Sequence, residues 1–359
     1  MGFSSVRFFN FRNLKDRDLE LDAREVFLIG ENGQGKTNLI EAIHLLCVAS
    51  SFRESHDVPF FRNQDEDVGI FGNYIDAASD VRGLSVRISP GKRKEIRLND
   101  KLVSDRKELL ARLLCVCFVQ QDMEFINGGP EAKRRFFDQT AIISDPSFLD
   151  TLRKYRRVLL SRNFALKARR VDLLDAYDAQ LAPLGIEICK QRALLVASFN
   201  QVFTPLISKI SGWADDVAIG YVPSWTRSTL DEVLDLLGSL RARDIALGST
   251  TSGPHRDSFR FAIGGRDFLP YASTGQMRLC ALVLRVAQAR YLTDRTGKQP
   301  ILLLDDVLLE LDHGRRVSFL SLFPLYEQAF FTFLPDENYL PYRRDGTLIL
   351  KVENGEFRA

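Results

Sequence analysis

GENGQGKT, Gly30 to Thr37, fits the pattern G-x-x-x-x-G-K-[ST], in which a glycine-rich turn points successive backbone NH groups at phosphate oxygens. Gly30, Gly33 and Gly35 let the backbone curl, Lys36 is placed to reach the β and γ phosphates of a nucleotide, and Thr37 to ligate Mg²⁺. Glu31, Asn32, Gln34 and Asn38 complete the expected nucleotide-contacting segment. The flanks suit the motif. EVFLI, residues 25–29, reads as a buried strand, and residues 37–49 as a helix whose Leu39, Ile40, Ile43, Leu46 and Cys47 share one apolar face.

Far downstream, ILLLDD (Ile301 to Asp306) is an apolar run ending in two acids, as expected of a central parallel strand that delivers carboxylates to the edge of an α/β sheet. Asp305 is expected to hold Mg²⁺ through water. Asp306 sits where a base orients or deprotonates the water that attacks a γ phosphate. Asp312 is a weaker candidate, and a helix cap or an exposed strand end is the plain alternative for the acidic pair.

Between these segments, STGQ (Ser273 to Gln276) precedes a helix expected over residues 277–291. By itself it is a helix cap. It lies about 25 residues before the acidic strand and after a long insertion, where it resembles the signature loop of ABC-type ATPases. In that superfamily the signature of one subunit closes on the nucleotide held by the P-loop of the other, so the resemblance implies ATP contacts from Ser273, Gly275 and Gln276 across a homodimer. The anion would meet a helix start.

To roughly residue 335 the chain resembles the RecF family of bacterial recombination mediators, within the SMC-like ABC ATPases. FFNFRNL (Phe8 to Leu14), SFR (Ser51 to Arg53), NGGPEAKRRFFD (Asn127 to Asp138) and SGPHRD (Ser252 to Asp257) are similar to that family's blocks, in the same order. The resemblance implies an α/β fold: an ABC-type P-loop head with a mixed or parallel sheet core, an inserted mainly helical lobe and no long coiled coil. It also implies weak DNA-linked ATPase activity in recombinational repair, with ATP and Mg²⁺ as cofactors. DNA, RecR and indirectly RecO are the implied partners.

Asp306 stands where transporters carry Glu, a change that resembles the RecF pattern and suggests slow hydrolysis. Gln120 and Gln121 fall near a γ-phosphate-sensing glutamine, without deciding which acts. Thr332, after an apolar strand at residues 329–331, occupies the place of a transporter's switch histidine, where an ordinary strand threonine serves as well.

The 359 residues, 45% hydrophobic, suffice for two or three compact units with sizeable cores. Three segments are expected: 1–118 (first part of an ATPase lobe), 119–292 (mainly helical, carrying the signature) and 293–359 (the rest of the ATPase lobe). About 150 residues separate Gln121 from Ser273, too few for SMC-type arms, and Pro183, Pro205, Pro223 and the turn at Gly212 are expected to break any long coil. Five cysteines without a CxxC point to buried thiols rather than disulfides or zinc. No leader-like start and no apolar run near bilayer length is read, so a cytoplasmic protein with no membrane association is expected.

A net charge of +2 does not announce nucleic acid, so the distribution of charge must. Residues 151–170 hold Arg153, Arg156, Arg157 and Arg162 among eight basic and no acidic residues, and Lys133, Arg134 and Arg135 precede them on another expected helix. Such a face could track phosphates, and a solvated helix face is the alternative. Arg53 is a further DNA-facing candidate. Lys92, Arg93, Lys94 and Arg97 lie on a hairpin around Pro90-Gly91, and Arg12, Asn13, His255 and Arg256 could serve the nucleotide or simply structure. Rival readings are the motor subunit of a membrane transporter and the ABC-type head of a repair nuclease.

Overall fold

The computed structural model describes residues 2–53, 60–76, 79–91, 94–213, 215–308, 311 and 313–359. Asp312, Lys92 and Arg93, singled out in the sequence, lie outside the described residues. The chain forms two compact units, Met1–Gln121 with Leu292–Ala359, and Asp122–Tyr291.

In chain order the strands are β1 (Gly2–Phe9), β2 (Asp18–Glu20), β3 (Glu25–Ile29), β4 (Val68–Ile75), β5 (Val81–Ile88), β6 (Glu95–Leu98), β7 (Lys101–Leu102), β8 (Cys115–Phe118), β9 (Val217–Val222), β10 (Ser258–Ile263), β11 (Arg266–Asp267), β12 (Ile301–Leu304), β13 (Gln328–Phe333), β14 (Leu348–Glu353) and β15 (Glu356–Arg358). The helices are α1 (Lys36–Val48), α2 (Lys107–Leu110), α3 (Glu124–Asn127), α4 (Pro130–Ser144), α5 (Phe148–Lys167), α6 (Leu174–Ser211), α7 (Leu230–Leu247), α8 (Thr274–Thr296) and α9 (His313–Leu320).

The first unit is built on two six-stranded sheets. One, in the order β15-β14-β3-β13-β12-β8, is parallel except for β15. Strands β3, β8, β12 and β13 are buried at every residue, the pattern of strands covered on both faces, and their apolar runs read accordingly. Register aligns Leu304 with Phe118 and Phe331, so the segments after β8 and β12 emerge at one carboxyl edge. The loop after β3 emerges there too, since β3 pairs in parallel with β13. The second sheet, β2-β1-β4-β5-β6-β7, is antiparallel, with β5 and β6 paired as the hairpin pattern implied.

The second unit is mainly helical. Phe137 stacks on Phe259 with ring centroids 4.2 Å apart, and Phe136, Phe199 and Phe203 extend this aromatic core. Two features depart from the sequence reading. Within the stretch read as helical, β9 is a strand and pairs with β10. And α6 runs 38 residues through both Pro183 and Pro205 until Gly212 caps it at φ 64°. A proline inside a helix costs about 3 kcal/mol. Burial of Leu181 and Ile188 beside the first, and of Phe203, Leu206 and Ile207 beside the second, contributes about 1.5–3 kcal/mol for each side chain and outweighs that cost. The same helix is long and apolar enough, by length and composition, to cross a membrane, contrary to the sequence reading, yet it packs these side chains into the core of its unit.

Candidate phosphate-binding site

The turn between β3 and α1 holds the glycine-rich segment. Gly30 NH bonds Phe333 O at 3.2 Å, and a Cβ at Gly30 would lie 2.3 Å from Val352 O, so the strand end admits no side chain. Gly33 (φ 79°) and Gly35 (φ 117°) take conformations that L side chains rarely adopt. The first turn of α1 has neither a side-chain cap nor an acidic residue, which leaves its NH groups and dipole end for an anion. Lys36 is 3% exposed, and its Nζ donates to Gly30 O (2.5 Å) and Glu31 O (3.1 Å), carbonyls of the loop it serves.

The acidic pair meets this loop. Thr37 Oγ1 donates to Asp305 Oδ1 at 2.9 Å across 268 positions of sequence. Burial first, and then the charge of Asp306, pushes the Asp305 carboxyl up to about 6, against the opposing pull of Thr37, Arg53 and Lys36. A buried carboxyl raised in this way beside a second acid makes a place where a cation is favoured. Asp306 has a left-handed backbone (φ 54°) and is tied to Thr332, whose hydroxyl accepts from Asp306 NH (2.7 Å) and donates to Asp306 Oδ1 (2.9 Å).

A cavity of about 230 Å³ is lined by Glu31, Asn32, Gly33, Gly35, Lys36, Thr37, Asn38, Arg53 and Asp306. Arg53, a DNA-facing candidate in the sequence, thus lines this cavity. Its Nη1 donates to Asn38 Oδ1 (3.1 Å) and lies 3.8 Å from Glu41 Oε2. Glu41 is the residue sequence reasoning missed. It is fully buried on α1 and accepts from Arg12 at 2.6 and 3.1 Å and from Ser51. A carboxylate on an otherwise apolar helix face was the available signal. Asn13 donates to Gly33 O (3.0 Å) and accepts from Asn38 (2.6 Å), bracing the loop, and Gln34 accepts from Asn354 NH at 2.7 Å. Gln120 and Gln121 are exposed in a 3₁₀ turn just after β8, outside the cavity lining.

Ser273, Gly275 and Gln276 belong to the second unit, at the start of α8. Ser273 NH donates to Gln276 Oε1 (2.8 Å) and Gln276 NH to Ser273 Oγ (3.2 Å), a reciprocal capping box, while Gly275 is exposed with nothing within 4 Å of where a Cβ would stand.

The basic candidates separate. Arg153, Arg156 and Arg157 are exposed on α5, Arg153 lying 3.8 Å from Asp150, and exposed Arg135 lies 3.4 Å from Glu124. Arg134 is half-buried and donates to Asp257 O at 2.6 Å, with burial pulling its proton affinity down. Lys133 is buried over the Phe261 ring. Arg162, counted with the basic face in the sequence, is fully buried between Asp178 (2.6 Å) and Asp244 (2.7 Å). His255 accepts at Nδ1 from the Tyr155 hydroxyl (2.8 Å) and donates from Nε2 to Thr250 O (3.0 Å), with burial favouring the neutral ring.

The profile of the RecF/RecN/SMC N terminal domain matches residues 3–334. The DNA replication and repair protein RecF of Treponema pallidum (strain Nichols) is 39% identical, over 96% of this chain and 98% of its own length. That of Leptospira interrogans serovar copenhageni is 32% identical, over 97% and 96%. Among solved structures, the recombination mediator protein RecF with ATP, of the RecFOR pathway, superposes with a TM-score of 0.90 at 28% identity, covering 99% of this chain and 97% of that one. An Smc head bound to the C-terminal winged-helix domain of ScpA shares the fold, with a TM-score of 0.56 at 13% identity over 100% and 96% of the two chains.

Proposed function

This chain belongs to the RecF family of DNA replication and repair proteins within the SMC-like ABC ATPases, and on that footing we propose that it is an ATP-controlled DNA clamp. ATP bridges two copies, the closed dimer holds DNA near a single-strand gap in the cytoplasm and helps load recombinase, and slow hydrolysis releases it. RecR, and through it RecO, are the proposed protein partners.

The observation that carries the reading is the convergence of an uncapped helix start, a buried Lys36, Asp306 and a Thr37 bonded to Asp305 on one cavity. Mg²⁺ with the nucleotide phosphates fits these residues: the loop has room only for backbone at Gly30, and the two carboxylates call for a cation. Thr37 Oγ1 would ligate the metal directly and Asp305 through water, and the ion would neutralise charge on the β and γ phosphates. Lys36 exchanges its loop carbonyls for phosphate oxygens, and the NH groups of residues 33–37 bind and orient them. Asp306 lines the cavity and takes the proton of the attacking water.

Ser273 and Gly275, exposed at a helix start, are the proposed contacts of one copy with the nucleotide of the other. Arg135, Arg153, Arg156 and Arg157 are the proposed phosphate-tracking residues of the second unit, with Arg134 supporting them from its half-buried position.

Two variants test the reading. Lys36→Met should abolish binding of a fluorescent ATP analogue, whereas Asp306→Asn should keep nucleotide affinity and lose turnover by about 100-fold or more. Lys36→Met binding ATP like the parent chain would refute it.

A further inference from the structure

Thr332 is 4% exposed on β13, inside a parallel sheet where it pairs in register with Leu28 of β3, and it is not among the residues lining the phosphate cavity. A threonine hydroxyl has one proton to give and lone pairs to receive. Here the proton goes to Asp306 Oδ1 (2.9 Å), and a lone pair receives Asp306 NH (2.7 Å). The hydroxyl therefore has no proton left for a phosphate. Asp306 itself has a positive φ of 54°, a left-handed conformation uncommon outside glycine that aspartate enters more readily than most residues and that neighbouring constraints hold in place. Thr332 supplies two such constraints, one on the backbone and one on the carboxylate.

We propose that Thr332 is the positioning residue of ATP hydrolysis: by pinning Oδ1 and the backbone of Asp306 it presents Oδ2 to the attacking water. This rests on the hydrolysis reading given above. In the step, Asp306 Oδ2 takes one proton from water, the water oxygen forms a bond to the γ phosphorus, and the bond from that phosphorus to the β-γ bridging oxygen breaks, its electron pair leaving on ADP. Thr332 keeps its own proton throughout. The position thus acts through the carboxylate rather than by touching the nucleotide, which separates it from a residue that senses the γ phosphate.

The test compares Thr332→Val, which keeps the shape and loses the hydroxyl, with Thr332→Ser, which keeps the hydroxyl. ATP turnover and affinity for a fluorescent ATP analogue are measured for both, for Asp306→Asn and for the Thr332→Val/Asp306→Asn double variant. Thr332→Val should lose about 10- to 100-fold in kcat with analogue affinity unchanged within about twofold. Thr332→Ser should recover most of that loss, and the double variant should be no slower than Asp306→Asn alone.

Unchanged kcat in Thr332→Val beside a crippled Asp306→Asn would overturn the positioning role and leave the hydrolysis reading standing. Parallel loss of affinity and kcat in Thr332→Val, with Thr332→Ser equally impaired, would overturn it in favour of a role in packing. An Asp306→Asn variant that turns over like the parent would overturn the hydrolysis reading, and the proposal with it.

Discussion

Asp305→Asn should make the metal-free protein more stable at neutral pH while removing its response to Mg²⁺. The Asp305 carboxyl is raised from 3.8 to about 6 by burial and by the charge of Asp306. A carboxyl that holds its proton more tightly when folded contributes stability that is full below its unfolded value and lost as pH rises through its folded one. At about 1.4 kcal/mol for each tenfold in proton affinity, that rise corresponds to about 3 kcal/mol, carried as a cost near pH 7 where the group is ionised. Asparagine keeps an oxygen to accept from Thr37 Oγ1, so the 2.9 Å bond survives and only the charge is lost. The measurement is urea unfolding of both proteins, without nucleotide and with metal chelated, from about pH 4 to pH 7.5. Asp305→Asn should gain up to about 3 kcal/mol at the top of that range, and the gain should fade toward zero at the bottom. Adding Mg²⁺ and ATP should then raise the parent's midpoint and leave that of Asp305→Asn nearly unmoved. A difference between the two proteins that is absent, or constant with pH, would refute the reasoning.

Two further substitutions probe the second unit. Arg162→Ala strands the buried carboxylate of Asp244 and leaves Asp178 to Arg241 alone, and denaturation should show a loss of about 3–5 kcal/mol. Removing the exposed Arg156 and Arg157 together should leave stability unchanged and flatten the salt dependence of DNA binding by about 2 in the slope of log K against log salt. An unchanged slope in a DNA titration would take those two arginines off the nucleic-acid surface.

The parallel core was legible because strands buried on both faces must be written as unbroken apolar runs, as EVFLI and ILLL are. The α/β head with its helical insertion emerged from the order of those runs around the glycine-rich turn. The features that stayed hidden depend on partners distant in sequence. Arg162 looks like its solvent-exposed neighbours until Asp178 and Asp244, on other helices, close around it. Glu41 has its meaning only once Arg12, Ser51 and Arg53 meet it. Pro183 and Pro205 argued locally against a long helix, and tertiary burial along α6 overrode them. Strand β9 is short and comes after a glycine turn, and only its pairing with β10 makes it a strand. The cavity around Lys36, Thr37 and Asp306 was expected at the carboxyl edge, whereas Arg53 entered it because Asn38 and Glu41 hold it there.

The central claim is that ATP makes two copies close on DNA, and sedimentation with a fluorescent gapped duplex tests it most directly. The protein is compared without nucleotide, with ADP, with ATP and with a non-hydrolysable ATP analogue, at several salt concentrations. A dimer that appears together with DNA capture in the ATP and analogue samples, and is missing from the nucleotide-free, ADP and Lys36→Met samples, is the expected result. A species that stays monomeric and indifferent to DNA in every nucleotide state would contradict the clamp.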